Sequence, residues 1–471
     1  MTIYVLGAGP AGLAVVDGLV EQSSEDFVVL ERSSALGGLA QTVEWAGVGH
    51  HDLGPHKIFT TDPALMRRVE ALLPAADWLT REKISSIYMN GHYLPYPPSP
   101  FSLAKVFGLP TFVKMVLGYG MARLRGLLGN AAPLTFEQDL VQRLGTGLYE
   151  VLFEPIALKL WGDPRNLDVK LSQGRVQTPK LTEVIARLLG LSKRSEFEAL
   201  DFRYPVGGLG KLWEAIRHRT SARGTYLVGH TVVGFDIANN RIRRIRCQRG
   251  SDGAEVSFDL KDGDFVVSTM PLGPTSRLLA ERISPEGLRR VDDVVALNDL
   301  LLVFLHVDRP SLLRESWVFV PDPQIAFHRL SEQESFDPGM TPNGSIVCCE
   351  IMSNDRRAMS GRSDEELINA AKDGLTRMGF RDFGFLQSRV IRLPKSYPVF
   401  RPGFEAGLVE VLREVDGIDN FRSIGRQGAF NYIGTLDAMD IGYGFARWLA
   451  GGRASSWQVE RERTNHYPVL D

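Results

Sequence analysis

Three glycines close to the start of the chain are spaced as in a loop that binds a dinucleotide. Gly7, Gly9 and Gly12 form Gly-x-Gly-x-x-Gly between an apolar run and an amphipathic segment. Gly7 permits a tight turn, Gly9 lets a pyrophosphate approach the backbone, and Gly12 lets helix and strand pack closely. Glu31 ends the next apolar run, where a carboxylate can accept hydrogen bonds from ribose hydroxyls. The pattern predicts a bound dinucleotide.

A histidine that could do chemistry follows shortly afterwards. In "HHDLGPHKIFTTD" (residues 50–62), His56 comes directly after the stiff pair Gly54-Pro55. An imidazole there could face the cofactor and act on it, because its charge can change near neutral pH. It could also be a loop histidine bonded to a backbone carbonyl. The preceding dinucleotide motif favours the first interpretation, whereas His50 and His51 lack that context and are expected at a surface or a strand edge.

The elements that must position these residues can be read from periodicity. Residues 2–6 predict a buried strand, a helix follows to about Gln22, and "FVVL" predicts the second strand. Further on, "GTYLVGHTVVGFDIANNRIRRIRC" and "DGDFVVSTMPL" predict a β-ribbon and a return strand, in which Val232 would offer backbone groups to an adenine. Near the end, "NFRSIGRQGAFNYIGTLDAMDIGYGFARWLA" predicts a short strand, a turn, a loop and a helix.

A second glycine turn decides which dinucleotide is expected. "ERSSALGGLAQT" resembles the Glu-Arg-(four residues)-Gly-Gly signature of FAD-binding proteins related to amine oxidases. The resemblance implies FAD rather than NAD. The residues it implicates in binding FAD, together with those of the first turn, are Glu31, Arg32, Gly37, Gly38, Leu39, Val232, Gly425, Arg426, Met439 and Asp440. Arg426 would pair with the pyrophosphate, and a helix starting at Met439-Asp440 would face the flavin.

The order of motifs along nearly the whole chain resembles that of UDP-galactopyranose mutases. The segments that carry this resemblance are "GPHKIFTTD", "LYEVLFEPIALKLWGDP", "FRYPVGGLGKLWEAI", "IAFHRLSEQESFDPGM", "LPKSYPVF" and "IGRQGAFNY". It implies an α/β fold in which a discontinuous Rossmann-type FAD domain (1–75, 203–275 and 418–460) carries a helical domain (100–200) and a domain with a mixed or antiparallel sheet (276–395). It also implies redox-neutral isomerisation of a nucleotide sugar, with reduced flavin N5 as the nucleophile at the anomeric carbon and NAD(P)H as a candidate reductant.

The same resemblance assigns roles to individual side chains. Arg175 and Arg329 match the two arginines that hold the substrate diphosphate, for which a guanidinium fork is suited. His56 matches the histidine beside the flavin ring. The other residues implied at the substrate site are Phe153, Trp161, Tyr397 and Tyr432. The chain departs from the mutases at Ile156, where they carry a tyrosine that lines the nucleotide site, so another nucleotide, or none, stays open.

A second class of function is also compatible with the sequence. "FDPGM" and "SDEELINAAKDGL" resemble a broad set of proteins related to protoporphyrinogen oxidase. These segments leave open an FAD-dependent oxidoreductase that takes a hydride from a C–N or C–C bond. An FAD scaffold without catalysis is a third alternative. The expected diphosphate clamp favours the mutase type over both.

Composition excludes several classes of partner. Lys and Arg (54) nearly balance Asp and Glu (56), which disfavours nucleic-acid binding, and the arginines of "RIRRIR" predict the solvent face of a strand. Three cysteines without metal spacing predict no metal site and a reducing, cytoplasmic location, and the first residues already predict a strand rather than a signal peptide. The apolar stretch 101–128 predicts one or two helices of a soluble domain rather than an integral membrane segment, with a lipid-touching surface as the alternative. Homo-oligomerisation is left open.

Overall fold

A computed structural model describes residues 1–129, 131–175, 201–464 and 467, with Arg175 described by its backbone only. Its strands are β1 (Thr2–Leu6), β2 (Asp26–Leu30), β3 (Thr42–Trp45), β4 (Gly49–Asp52), β5 (Trp78–Arg81), β6 (Ser85–Met89), β7 (His92–Pro95), β8 (Phe202–Pro205), β9 (Gly224–Leu227), β10 (His230–Ala238), β11 (Arg241–Arg249), β12 (Glu255–Asp259), β13 (Phe265–Ser268), β14 (Ala296–Val307), β15 (Trp317–Phe319), β16 (Arg329–Glu332), β17 (Ser345–Ser353), β18 (Phe385–Val399) and β19 (Phe421–Ser423).

The α-helices in the described residues are α1 (Pro10–Gln22), α2 (Pro63–Glu70), α3 (Pro100–Leu127), α4 (Phe136–Leu144), α5 (Thr146–Leu148), α6 (Glu154–Leu160), α7 (Val169–Arg175), α8 (Gly210–Thr220), α9 (Leu272–Leu278), α10 (Pro285–Val294), α11 (Asp364–Arg377), α12 (Phe404–Asp416), α13 (Gly425–Gly428), α14 (Thr435–Ala450) and α15 (Trp457–Arg463). A π-helical turn, Tyr149–Phe153, joins α5 to α6.

A five-stranded parallel sheet forms the centre of the dinucleotide-binding domain. Its strand order is β19-β13-β1-β2-β9, and every neighbouring pair is parallel. The inner strands are apolar on both faces because helices cover them, and all four residues of β13 are buried. The five strands come from the three separated ranges that the sequence predicts for this domain, so distant segments meet at one sheet.

Helix α14 packs along α1 at very short range. A Cβ at Gly442 would lie 2.2 Å from the Ala11 carbonyl oxygen, and one at Gly18 would lie 2.7 Å from the Ala446 methyl group. Only glycine fits at such contacts, because any side chain would force the two helices apart. The close packing fixes the start of α1, and with it the first glycine turn, against the C-terminal segment.

Two further units flank this domain. The antiparallel ribbon β10-β11-β12 extends from β9, and Ile242 and Ile245 of β11 are buried while its arginines form ion pairs with aspartates, as expected for a half-solvated strand. A seven-stranded sheet has the order β18-β14-β17-β16-β15-β6-β7. Strands β6 and β7 come from residues 85–95, outside the range predicted for the sheet domain. Helices α3 to α7 form the described part of the helical unit.

Candidate functional site

The two glycine turns contact each other at the edge of the parallel sheet. The amide of Gly37 donates to the Ala8 carbonyl oxygen at 2.8 Å, and a Cβ at Gly38 would lie 3.2 Å from the Gly9 Cα. A Cβ at Gly12 would lie 2.1 Å from the Gly7 carbonyl oxygen, so that glycine is required for the approach of helix to strand. Both predicted turns thus belong to one loop cluster at the N-terminus of α1.

This cluster fits the pyrophosphate and ribose of a dinucleotide. No protein atom lies within 4 Å of the Cβ position at Gly9, so the backbone there is open to a ligand at a helix N-terminus. The Glu31 carboxylate accepts hydrogen bonds from the amides of Ala8 and Ser33, each at 2.7 Å, which holds it beside the turn. Val232 lies near the start of β10, whose first residue, His230, donates its amide to the Glu31 carbonyl oxygen at 2.8 Å.

Four other predicted cofactor residues, Arg32, Leu39, Met439 and Asp440, differ in their burial and in their contacts. Arg32 is exposed, and Leu39 is half-buried within the second turn. The helix predicted to start at Met439-Asp440 begins at Thr435, capped by Gly434. Met439 is fully buried in the core, and the Asp440 carboxylate accepts hydrogen bonds from Arg463 and Tyr467. The predicted helix start was wrong by about one turn, because the Asp437 carboxylate accepts a hydrogen bond from the Gly434 amide at 2.9 Å and caps the helix there.

His56 lies between the second glycine turn and two arginines. Its Nε2 donates to the Leu53 carbonyl oxygen at 3.2 Å, in the loop that Gly54 turns with a φ of 93°. Burial and the positive charge of Arg329 lower its pKa to about 4. Hydrogen bonds to the backbone of Leu53 and Leu39 oppose this shift. His56 is therefore a neutral imidazole at physiological pH. Its contact with the Leu39 backbone joins its own loop to the second glycine turn.

Arg329 is bound to a carboxylate that the sequence analysis did not single out. Its Nε and Nη2 donate to the two oxygens of Glu350, the second at 2.8 Å, across paired positions of β16 and β17. The Glu350 side chain is 1% exposed and lies 3.8 Å from the Cβ position at Gly54. Burial of such a carboxylate requires a paired cation, so the pair also fixes the guanidinium beside the His56 loop.

Arg426 contacts a group of aromatic side chains. Its guanidinium lies 4.9 Å from the ring centre of Tyr432 and 5.5 Å from that of Tyr397, and its Nη1 donates to the Ile433 carbonyl oxygen at 2.7 Å. Tyr432 also packs edge-on against Trp161, with ring centres 6.5 Å apart. Phe153 is half-buried and packs against the hydrophobic core that contains Trp161 and Tyr432. Four predicted site residues from three segments are thus adjacent.

Two cavities open on either side of this aromatic group. One of about 350 Å³ is lined by Trp161, Asn298, Lys395 and Arg401 among others. The other, of about 630 Å³, has Phe400, Phe430 and Tyr432 on its wall. Both volumes lie in the range of small-molecule sites. Arg175 is the last residue of α7, but its side chain lies outside the described residues, so its predicted role is left as an expectation.

His51 lies on an edge strand, β4, as one of the two expectations had it, but it does not lie at a surface, contrary to the other. It is fully buried, stacks on Phe304 with ring centres 3.7 Å apart, and contacts Arg389 through Nε2. Burial, together with the charge of Arg389, lowers its pKa to about 3. The apolar strand β14 supplies the stacking partner, and no local pattern around residue 51 signals that contact. His50, its neighbour on β4, is exposed.

A buried polar network below the His56 loop was also missed. Asp52 accepts hydrogen bonds from Thr42 at 2.5 Å and from the Tyr204 hydroxyl at 2.7 Å, and Gln333 donates to that hydroxyl at 3.0 Å. Burial raises the pKa of Asp52 to about 6, although these hydrogen bonds oppose the shift. One signal was available in the sequence for the other missed carboxylate: Glu350 within "IVCCEIM" is a charge in an otherwise apolar strand, where a partner is required.

The N-terminal part of the chain matches a known domain family. Residues 5–72 match the sequence model of the NAD(P)-binding Rossmann-like domain. This range contains both glycine turns, Glu31 and His56. It agrees with the parallel sheet and the open turn at Gly9 in assigning a dinucleotide-binding fold to this part of the molecule.

Solved structures share the fold over the whole chain. Reduced UDP-galactopyranose mutase matches with a TM-score of 0.82 and 19% identity, over 99% of this chain and 98% of that one. A protein from Exiguobacterium sp. 255-15 named as a protoporphyrinogen oxidase matches with a TM-score of 0.71 and 17% identity, over 96% and 99%. A CLA-producing fatty acid isomerase from P. acnes gives 0.62 and 14%, over 94% and 97%. The chain therefore has the fold of this mutase. The names of the three proteins show that the fold occurs with different reactions.

Proposed function

We propose that the protein is an FAD-dependent isomerase of the UDP-galactopyranose mutase type, acting on a nucleotide sugar. Two contacts beside the glycine turns carry the proposal. Glu350, which holds Arg329, lies 3.8 Å from the Cβ position of Gly54 in the His56 loop, and the Cβ position of Gly425, next to Arg426, lies 3.0 Å from the Ala11 methyl group at the start of α1. When reduced flavin is bound there, its N5 supplies the nucleophile for the anomeric carbon, and the net reaction is redox-neutral. The chain's own residues have to bind the diphosphate, orient the sugar and limit access of water.

The contacts of Arg329 suit a preorganised anion binder. Because Glu350 accepts from Nε and Nη2, the plane of the guanidinium is fixed before a substrate arrives. A donor that is already oriented costs little reorganisation when it stabilises the charge of a departing diphosphate. Arg175 is proposed as the second arginine of the clamp, from its place in the sequence.

Arg426 and the aromatic group would form the opposite wall. The Arg426 guanidinium is held 4.9 Å from the centre of the Tyr432 ring, which covers one of its flat faces. Its N–H groups would remain available to an anionic ligand. Tyr397 offers a hydroxyl to the same diphosphate, and Trp161 would shield the sugar. Ile156 is half-buried in the same core cluster and offers no flat face for a nucleobase, whereas Phe153 does. The base bound here would therefore be recognised differently from that of the mutases.

His56 would act as a neutral hydrogen-bonding group. With Nε2–H donated to Leu53, the imidazole would close the Gly54-Pro55 loop, and its contact with the Leu39 backbone would hold that loop against the second glycine turn. On the flavin side of the site, His56 would thus provide a rigid contact and not the titrating charge expected from the sequence. NAD(P)H is proposed as the reductant, and a cytoplasmic location and a homo-oligomeric state stay expectations from the sequence.

An FAD-dependent oxidoreductase is the second candidate. It is favoured by Phe400, Phe404 and Phe430 on the wall of the 630 Å³ cavity, which suit an apolar substrate that would donate a hydride. Charged residues, among them Lys170 and Glu405, also line this cavity. The two candidates differ in the need for a diphosphate site. An oxidase of apolar molecules has no use for a guanidinium fixed by a buried carboxylate at this position.

Calorimetric titration of the FAD-loaded protein with UDP, dTDP and GDP tests the proposal. We expect one of these to bind, and Arg329→Lys to weaken that binding about 10- to 100-fold, because lysine loses the fork while keeping a charge for Glu350; this corresponds to one charge-assisted hydrogen bond of about 1.5–3 kcal/mol. Arg392→Lys is the matched control, since Arg392 pairs with Asp364 on the surface of β18. Absence of binding by all three nucleotides, or equal weakening in both variants, contradicts the proposal.

A further inference from the structure

Helix α3 carries a continuous apolar stripe that faces solvent. From Leu109 to Leu128, the residue that follows the helix, the exposed apolar residues are Leu109, Val113, Val116, Leu117, Met121, Leu124, Leu127 and Leu128. The last three are 64%, 84% and 87% exposed. Their spacing of three, four and seven residues places them on one side of a helix. Such a stripe on a protein surface marks a site of interaction.

The opposite side of α3 is the side that packs on the protein. Met115 and Ala122 are 2% and 8% exposed. A Cβ at Gly147 would lie 3.2 Å from the Met115 Cα, and one at Gly145 would lie 2.4 Å from the Gly118 carbonyl oxygen. Helices α3 and α5 therefore meet at backbone contact along this side, and the exposed stripe is the outer surface of the helical unit.

The charged residues of α3 itself are all cationic. Residues 83–136 contain no Asp or Glu, and α3 contains Lys105, Lys114, Arg123 and Arg125. On a helical projection Lys114 and Arg125 lie at one border of the stripe and Arg123 at the other. Lys114 pairs at 3.3 Å with Glu150, which lies outside α3, and Arg123 stacks on Tyr119. A row of apolar side chains bordered by cations is the pattern of a helix that lies in a membrane interface.

We propose that α3 docks the protein on the surface of an anionic lipid bilayer. Anionic headgroups complement the bordering cations, and the apolar stripe enters the boundary between headgroups and acyl chains. A second copy of this chain fits less well, because a symmetric contact through the stripe would oppose cation to cation with no acid in residues 83–136 to separate them. The site does not depend on which reaction the protein catalyses.

The geometry favours a helix that lies on the membrane over one that crosses it. By length and composition α3 could span a bilayer, the one such helix among the described residues. However, Gly108 has a φ of 77° and a ψ of 161°, which interrupts the helix two residues before Pro110. The contacts of Met115 and Ala122 with the rest of the helical unit also keep one side away from lipid. A peripheral docking helix satisfies both observations.

Vesicle flotation of the full chain tests this inference. We expect the protein to float with vesicles of phosphatidylcholine and phosphatidylglycerol (3:1), to float much less with pure phosphatidylcholine, and to be released by 0.5 M NaCl. The double variant Leu117→Glu/Leu124→Glu should lose at least about tenfold in the bound fraction. Lys105→Gln/Arg125→Gln should weaken binding while leaving the apolar stripe intact.

A matched control separates the stripe from general surface hydrophobicity. Val409 and Val459 are 50% and 61% exposed on α12 and α15, and Val409→Glu/Val459→Glu should float like the wild type. Circular dichroism and thermal melting verify that every variant is folded. Failure of the wild type to float on anionic vesicles overturns the proposal. So does a dimer in sedimentation velocity that Leu117→Glu/Leu124→Glu abolishes in a protein that binds no vesicles, because a second copy then covers the stripe.

Discussion

Replacement of Gly9 by alanine should separate folding from cofactor binding. The residue has a φ of −76° and a ψ of 179°, which alanine adopts without strain, and no atom lies within 4 Å of the added Cβ. The free energy of unfolding of the cofactor-free protein should therefore stay the same or rise by about 0.4–1 kcal/mol, because alanine has less conformational freedom than glycine in the unfolded chain.

Binding of FAD, in contrast, should become weaker in the Gly9→Ala variant. The open space at Gly9 is where the pyrophosphate must approach the start of α1, and a methyl group there keeps the phosphate oxygens away from the backbone amides. Loss of one or two charge-assisted hydrogen bonds, at about 1.5–3 kcal/mol each, corresponds to an increase in Kd of roughly 10- to 1000-fold or more. Gly12→Ala differs, because its Cβ would lie 2.1 Å from the Gly7 carbonyl oxygen, and it should destabilise the fold itself.

The assay is titration of the cofactor-free protein with FAD, followed by flavin fluorescence, alongside thermal unfolding of the same samples. Gly361→Ala is the control, since Gly361 is also exposed to open space at an ordinary φ but lies away from the glycine turns. If Gly9→Ala binds FAD as tightly as Gly361→Ala and the wild type, the dinucleotide does not lie on this turn, and the reasoning about the site is refuted.

Three other variants test the interior of the site. Arg329→Ala should destabilise the fold by about 3–5 kcal/mol, because it leaves Glu350 buried without its cation, and Arg329→Ala/Glu350→Gln should recover much of that loss in urea unfolding; no recovery contradicts the pairing. Burial raises the pKa of Asp52 to about 6 in the folded state, so its contribution to stability is greatest below pH 4 and is lost as pH rises to 6. Asp52→Asn should therefore gain about 2–3 kcal/mol relative to the wild type between pH 4 and pH 7, and an unchanged difference across that range rules out the raised pKa. Burial and the charge of Arg329 keep the pKa of His56 at about 4, so His56→Gln should leave the pH slope of the flavin midpoint potential unaltered between pH 6 and 8; a changed slope in a redox titration would show that the imidazole titrates with the flavin.

Local patterns predicted the dinucleotide domain closely because its chemistry is local. The strand Thr2–Leu6, the helix ending at Gln22 and the strand before Glu31 follow from apolar periodicity and from glycines whose positions the backbone requires. The coarse architecture and the adjacency of His56, Arg329 and Arg426 followed from motif order, which carries information on long-range contacts that periodicity lacks.

Long-range pairing accounts for what the sequence did not predict. Glu350 meets Arg329 across two strands, His51 is buried by Phe304 of a distant strand, and β6 joins the sheet through a parallel pairing with β15. No spacing within one segment records such contacts. The lowered pKa of His56 likewise depends first on burial and then on the charges of two arginines far away in sequence, so it could be obtained only after the chain was folded.

Turnover with reduced and oxidised enzyme tests the central claim most directly. The FAD-loaded protein, reduced with dithionite under anaerobic conditions or left oxidised, is incubated with UDP-galactose and other UDP- and dTDP-hexoses, and the products are separated by anion-exchange chromatography while flavin absorbance is followed. The account predicts that a ring isomer of one nucleotide sugar accumulates over many turnovers with the reduced enzyme alone, and that the flavin stays reduced throughout. Equal conversion by the oxidised enzyme would contradict it, as would an absence of any conversion combined with reduction of the oxidised flavin by an apolar substrate.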